Sequence, residues 1–251
     1  MRIQYCSDLH LEMEKNNKYI MNNPLKVNGD ILILAGDIIP LHDELFNNPF
    51  FRSISNNYKK VFWVPGNHEF YHKDINEFSN AYNITVKNNI HIVHNTELQF
   101  EGIHFVFSTL WSKISSDNEK NIEQSVSDFS CISKDNKQFK AAHFNKLHSE
   151  SLSFIQQSLK IKNRKTVVVT HHLPSTLCNS LVHSNSPINE AFCVDLTEYI
   201  SNSDVNFWIY GHNHANQKPL YIGNTIMLTN QLGYVHCNEH ESFKHNAYFS
   251  I

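Results

Sequence analysis

The stretch VFWVPGNHE, Val61 to Glu69, is an apolar run that stops at Pro65-Gly66 and then offers an amide, an imidazole and a carboxylate in succession. A continuous Val- and Phe-rich run bounded by Pro and Gly reads as a strand covered on both faces. The same arrangement recurs four times. RIQYC is followed by Ser7-Asp8-Leu9-His10, ILILA by Gly36-Asp37, TVVVT by His171-His172, and VNFWIY by Gly211-His212-Asn213-His214. Strand ends on one edge of a layered α/β sheet are brought together by the fold, so the five blocks can converge on one crevice. Gly36, Gly66 and Gly211, three of only seven glycines, directly precede a block residue. Glycine there allows a sharp turn and the close approach of a ligand or ion.

Further apolar runs, IHIVHN, IHFVFSTLW and LYIGNTIMLTN, extend the strand set, and helix-length segments fall near 42–58, 73–88, 143–160 and 189–202. Alternating strands and helices predict an α/β layered fold. YIGNTIML, with Gly-Asn between apolar runs, predicts a β-hairpin. Residues 112–141 are rich in Ser, Asn and Lys and weak in pattern, and read as a surface excursion or lid within a single domain, 1–251.

The composition, 41% hydrophobic and 18% charged with net charge −3, supports a sizeable core and supplies no basic face for a polyanion. The five cysteines (Cys6, Cys131, Cys178, Cys193, Cys237) are scattered and never spaced CxxC. That excludes a disulfide framework and a thiolate zinc site, and fits a reducing, cytoplasmic setting. The N-terminus enters a strand at once and no run approaches membrane-span length, so neither a signal peptide nor a membrane anchor is expected. GxSxG, P-loop and GxGxxG patterns are absent.

The blocks supply two Asp, one Asn and four His as potential ligands. A mixed oxygen–nitrogen set suits Mn, Fe, Zn, Co or Ni and disfavours an oxygen-only calcium site. Seven side chains exceed the needs of one catalytic zinc, and one carboxylate bridging two ions would use them all. Singly, Asp8 reads as a strand-end turn former and Asp37 as a helix N-cap.

SDLH, GD, GNHE, THH and GHNH, in that order, resemble the calcineurin-like metallophosphoesterase superfamily, and an AF…DL segment after THH (Ala191 to Leu196) is similar to bacterial members. The likeness runs from Asp8 to about Tyr234. It implies a four-layer α/β/β/α sandwich of two mixed sheets. It implies one transition-metal ion on Asp8, His10, Asp37 and His214, and a second on Asp37, Asn67, His171 and His212. His172 is the alternative to His171, and otherwise lines the pocket. His68 is implied to be unliganded, protonating the leaving oxygen while a metal-bridging hydroxide attacks phosphorus in line. Glu69 is expected to orient its neighbours, and His72 and His183 are candidate substrate contacts.

The sequence departs from the protein-phosphatase pattern GDxxDRG. Pro40 and Leu41 stand where that pattern has the Asp that buttresses the catalytic His and the Arg that grips phosphate, leaving Asp43 or Glu69 as partners for His68. Only Arg2, Arg52 and Arg164 are arginines, and none lies in a block. The expected substrate is therefore a small phosphate ester, with a diester favoured over a monoester or a phosphoprotein. A nuclease is disfavoured by the charge balance. A metal-binding scaffold with little catalysis is the reading from another class, opposed by the intact ligand set and His68.

Overall fold

The computed structural model describes residues 1–42, 47–180 and 183–251. In chain order the strands are β1 (Arg2–Cys6), β2 (Ile31–Ala35), β3 (Lys60–Val64), β4 (Tyr82–Lys87), β5 (Ile90–His94), β6 (Thr96–Phe100) and β7 (Ile103–Ser108). They continue with β8 (Ser133–Lys134), β9 (Lys137–Gln138), β10 (Thr166–Thr170), β11 (Phe207–Ile209), β12 (Leu220–Ile222), β13 (Thr225–Leu228) and β14 (Tyr248–Ser250). The helices are α1 (Glu14–Asn22), α2 (Pro49–Asn57), α3 (Glu119–Ser125), α4 (Asp128–Cys131), α5 (Ala141–Ser158) and α6 (Thr197–Ser201).

Two six-stranded sheets result, ordered β14-β1-β2-β3-β5-β4 and β12-β13-β11-β10-β7-β6. In the first, β1, β2, β3 and β5 run parallel and the edges β14 and β4 run antiparallel. The second repeats this plan, with β7, β10, β11 and β13 parallel and β6 and β12 antiparallel at its edges. Both sheets are mixed, as the family resemblance implied.

Alternation along the strands builds the layers. Ile31, Ile33 and Ala35 of β2 face Phe105, Phe107, Val167 and Val169 of the opposite sheet. Leu32 and Leu34 point the other way, onto α1 through Ile20 and onto α2 through Phe51 and Ile54. On the far side Val106, Val168 and Trp208 pack on Ile155 of α5 and Ile200 of α6. Every central strand is covered on both faces, which is why its sequence reads as an uninterrupted apolar run.

Residues 112–141 hold α3, α4 and the two-stranded β8-β9 ribbon. They carry buried side chains of their own: Ile114, Ile122, Phe129, Ile132 and Phe139 cluster with Phe70, Trp111 and Phe144. Near 42–58, α2 occupies Pro49–Asn57, while Asp43 lies outside the described residues. The expected helix near 73–88 is not formed. A single 3-10 turn, Ile75–Glu77, gives way to β4, which pairs antiparallel with β5. The β-branched run Ile84-Thr85-Val86 and the Asn88-Asn89 turn favour that hairpin. Gly223, at φ +59, turns the hairpin between β12 and β13 as expected.

Candidate metal centre

The C-terminal ends of β1, β2, β3, β10 and β11 deliver the five blocks to one place, the first three from one sheet and the last two from the other. Local backbone is unusual here. Asp8, His10, Asp37, His212 and His214 hold φ between 46° and 83°, in the left-handed region that costs non-glycine residues about 1–2 kcal/mol each. Such strain persists only where surrounding structure enforces it, and it concentrates at functional sites. A Cβ on Gly66 would collide with Asp37 Oδ1, and one on Gly36 with the His171 ring, so both positions admit only glycine.

Among the described residues, Asp8, His10 and His214 form one group whose ligand atoms lie within 4.8 Å of one another, and Asp37, His171 and His212 form another. A third, His10, Glu12 and His68, borders the first. Tautomers follow from the outer partners, because a carboxylate or carbonyl accepts only. His10 turns Nδ1 to Glu12 at 3.1 Å and His214 turns Nδ1 to Glu239 at 2.7 Å, so both Nε2 atoms carry lone pairs. Those two lone pairs face each other at 3.0 Å. Asp8 Oδ1 stands 3.5 Å from the His214 Nε2.

The second group repeats the pattern. His171 donates Nδ1–H to the Ala35 carbonyl at 2.9 Å; in the neutral ring this leaves the Nε2 lone pair facing Asn67 Oδ1 and His212 Nδ1, each at 3.1 Å. Without a cation, burial opposes but Asp37 drives protonation there, raising the pKa to about 9. Asp37 Oδ2 lies 3.4 Å from His171 Nε2 and 3.8 Å from His10 Nε2, so one carboxylate oxygen serves both groups. Bare lone pairs converging at such distances repel unless a cation lies among them. Two donors about 2.1 Å from one ion and at right angles stand about 3 Å apart, the spacing seen here. The donor set therefore fits divalent transition metals.

Burial works against the charge of Asp37, but His171, His68 and His10 outweigh it and hold its carboxyl well below the usual range. Burial pushes His212 and His172 far below the usual imidazole value, keeping both neutral. Glu69 is fully buried and does not touch His68. It accepts from the backbone N–H of Gly66, Asp37 and Ile38 at 2.6, 2.9 and 2.7 Å and from the Trp63 indole at 3.1 Å. It thus ties the GD and GNHE turns together, an orienting role as expected.

The partner of His68 is Glu12, whose Oε1 lies 3.3 Å from Nδ1. The His68 ring stacks on Tyr71, centroids 4.1 Å apart. Burial opposes protonation of His68, yet Asp37 and Glu12 outweigh it and raise its pKa to about 9. Phe192, from the AF…DL segment, stacks on His212 at 4.6 Å. His172 does not reach the cavity wall: it is fully buried, held by the Thr109 carbonyl at 3.3 Å and packed on Trp111 and His212. His72 and His183 do line the cavity. Glu12, Glu239, Asp128 and Tyr71 were not among the sequence candidates. Glu12, two residues after His10, and Tyr71, two residues after Glu69, stood beside blocks; Asp128 and Glu239 did not.

The groups open into a cavity of about 720 Å³. Met13, Val126, Ile188 and Phe192 form apolar wall, Glu12, Asp128 and Glu239 add carboxylates, and no Lys or Arg appears among its described lining residues. No helix among the described residues is long and apolar enough to cross a membrane.

The chain resembles uncharacterized protein L509 of Acanthamoeba polyphaga mimivirus, with 36% identity over 281 residues covering 100% of this chain and 97% of that one. In structure it is similar to the phosphopantetheinyl hydrolase of Mycobacterium tuberculosis, with a TM-score of 0.71, 17% identity, and coverage of 98% of this chain and 95% of the other. That likeness carries the fold. The calcineurin-like phosphoesterase model matches residues 1–216, a span that contains all seven expected ligands and His68. The chain therefore belongs to the calcineurin-like phosphoesterase family and is a metal-dependent hydrolase of phosphate esters.

Proposed function

We propose that this protein is a dinuclear phosphodiesterase acting on a small ester, with residues 1–251 working as one unit. The observation that carries the reading is the single Asp37 oxygen common to two groups of inward-facing lone pairs. Asp8, His10, Asp37 and His214 would hold one ion, and Asp37, Asn67, His171 and His212 the other. When bound, the ions supply Lewis acidity and a water acidic enough to attack phosphorus near neutral pH.

The chain's own residues do the rest. His68 lines the cavity with Nδ1 engaged by Glu12, which leaves Nε2 to give a proton to the departing alkoxide. Glu12 holds the ring and balances its positive charge. Tyr71 fixes the ring plane from one side.

The lining favours a diester. A monoester dianion calls for a guanidinium or ammonium partner, and the described lining offers carboxylates in their place. A diester has one negative charge and a second organic group, for which the apolar wall provides contact. The same lack of cations disfavours a nucleic-acid track. The test is metal reconstitution followed by elemental analysis and turnover of an aryl phosphodiester. Two ions per chain with metal-dependent turnover are expected; fewer than two ions removes the dinuclear reading.

A further inference from the structure

Asn67 enters the second ligand group with a carboxamide whose two ends have nearly the same shape. Turned the wrong way, it would aim an NH₂ at the position a cation would take. The orientation is set from outside. Asn67 Nδ2 donates to Asp128 Oδ1 at 2.7 Å, and since a carboxylate only accepts, the oxygen end must face His171. The same Asp128 oxygen accepts from the Tyr71 hydroxyl at 2.8 Å, and Tyr71 carries the ring that stacks on His68. Asp128 is 1% exposed, and its other oxygen has no hydrogen-bond partner. A buried carboxylate with half its acceptor capacity unused is costly to the fold. Packing alone does not account for an acid at this position.

We propose that Asp128 is a positioning residue for the second metal ion, acting through the Asn67 carboxamide. It borders the cavity but is almost wholly buried, and it acts through Asn67, not on the ester. It stands at the first position of α4, and the adjoining Ser125, Val126 and Ser127 form cavity wall. Residues 112–141 thereby link the wall that meets the ester group to a ligand of one ion.

The inference rests on the dinuclear reading and is tested separately from it. Full-length wild type, Asp128→Leu, Asp128→Ala, Asp128→Asn and Ile122→Ala are stripped, checked by far-UV circular dichroism and titrated with Mn²⁺ alone. Asp128→Ala removes the acceptor without adding bulk, and Asp128→Leu removes it while filling the site with apolar volume; either serves if the other misfolds. Either is expected to hold one ion normally and to bind the other about 10- to 100-fold more weakly, the usual loss when an outer partner of a ligand is removed. Asp128→Asn, which keeps an acceptor oxygen, binds both ions near wild-type affinity. Ile122→Ala, which loosens α3 without reaching Asn67, does the same. Unchanged isotherms in the leucine and alanine variants overturn the inference, as does an equal loss in Ile122→Ala. A wild-type count below two overturns the dinuclear reading; the inference survives that result only if the single ion is weakened by Asn67→Ala and by Asp128→Ala alike, and is overturned if neither weakens it.

Discussion

Glu12 Oε1 lies 3.3 Å from Nδ1 of His68, across 56 residues of chain. It fills in space the role that Pro40 leaves empty in sequence, and it reaches His68 from the loop after β1 instead of the loop after β2. If this pair supplies the proton, His68→Ala keeps both ions while turnover falls by about 10²–10⁴-fold. The loss shrinks for leaving groups such as nitrophenolate, which depart without a proton. Glu12→Gln shows the same leaving-group dependence with a smaller loss. Metal analysis and kcat on alkyl and nitrophenyl diesters check both variants, and loss of an ion in His68→Ala would make His68 a ligand.

Asp37→Ala removes an oxygen common to both groups and is expected to abolish binding of both ions, whereas Asp8→Ala spares the second. The count is read by elemental analysis after reconstitution. Chelation should also lower the melting temperature, because an ion present at a hundred times its Kd stabilises the folded state by about 2.7 kcal/mol.

Bis(p-nitrophenyl) phosphate should be hydrolysed at least as well as p-nitrophenyl phosphate at the same metal and pH. The acidic, apolar lining that omits Lys and Arg is the reason. A monoester preference in kcat/KM above about tenfold, or about 1.4 kcal/mol of transition-state discrimination, would show that cations on the wall do not decide substrate class.

His94, away from the centre, governs an acid limb of stability. Its Nδ1 accepts from the Thr109 N–H at 3.3 Å, and burial lowers its pKa from 6.5 to about 3. Between those values the unfolded chain binds a proton that the folded chain refuses. Stability is therefore present above pH 6.5 and is lost as pH falls toward 3, by up to about 1.4 kcal/mol per pH unit from this group. His94→Asn keeps an acceptor near the Nδ1 position and does not titrate. Its urea midpoint should fall less steeply than that of wild type between pH 6.5 and pH 5; parallel slopes would contradict the assignment.

The five blocks were legible because each is a strand end, and a covered strand announces itself by an unbroken apolar run. What supports them was not. Glu12, Asp128 and Glu239 meet His68, Asn67 and His214 across 56, 61 and 25 residues of chain, so no spacing within a block announces those pairings, even though Glu12 stands close to His10. Helix α1 was missed because its buried residues are Asn16 and Ile20, too little apolar material for a periodic signal. The 73–88 segment was misread because its polar–apolar mixture imitates a helix, while its partner β5 decides for a strand. The apolar side of 112–141 was hidden by its Ser, Asn and Lys content, although Ile122, Phe129 and Phe139 are wholly buried.

The ligand groups are divided between two sheets that have no backbone ladder in common. The first sheet ends in Asp8, His10, Asp37 and Asn67, the second in His171, His212 and His214. Each sheet is half an active centre. Ions held between them would act as rivets across a seam otherwise closed by apolar contact, side-chain hydrogen bonds and the backbone hydrogen bonds that join Ser7 to Asn230 and Leu232, fastening the enzyme mechanically at its site. Stripping the metal should raise amide exchange at the ends of β1, β2, β10 and β11 together, as one event, because loosening either sheet at that edge unfastens the other.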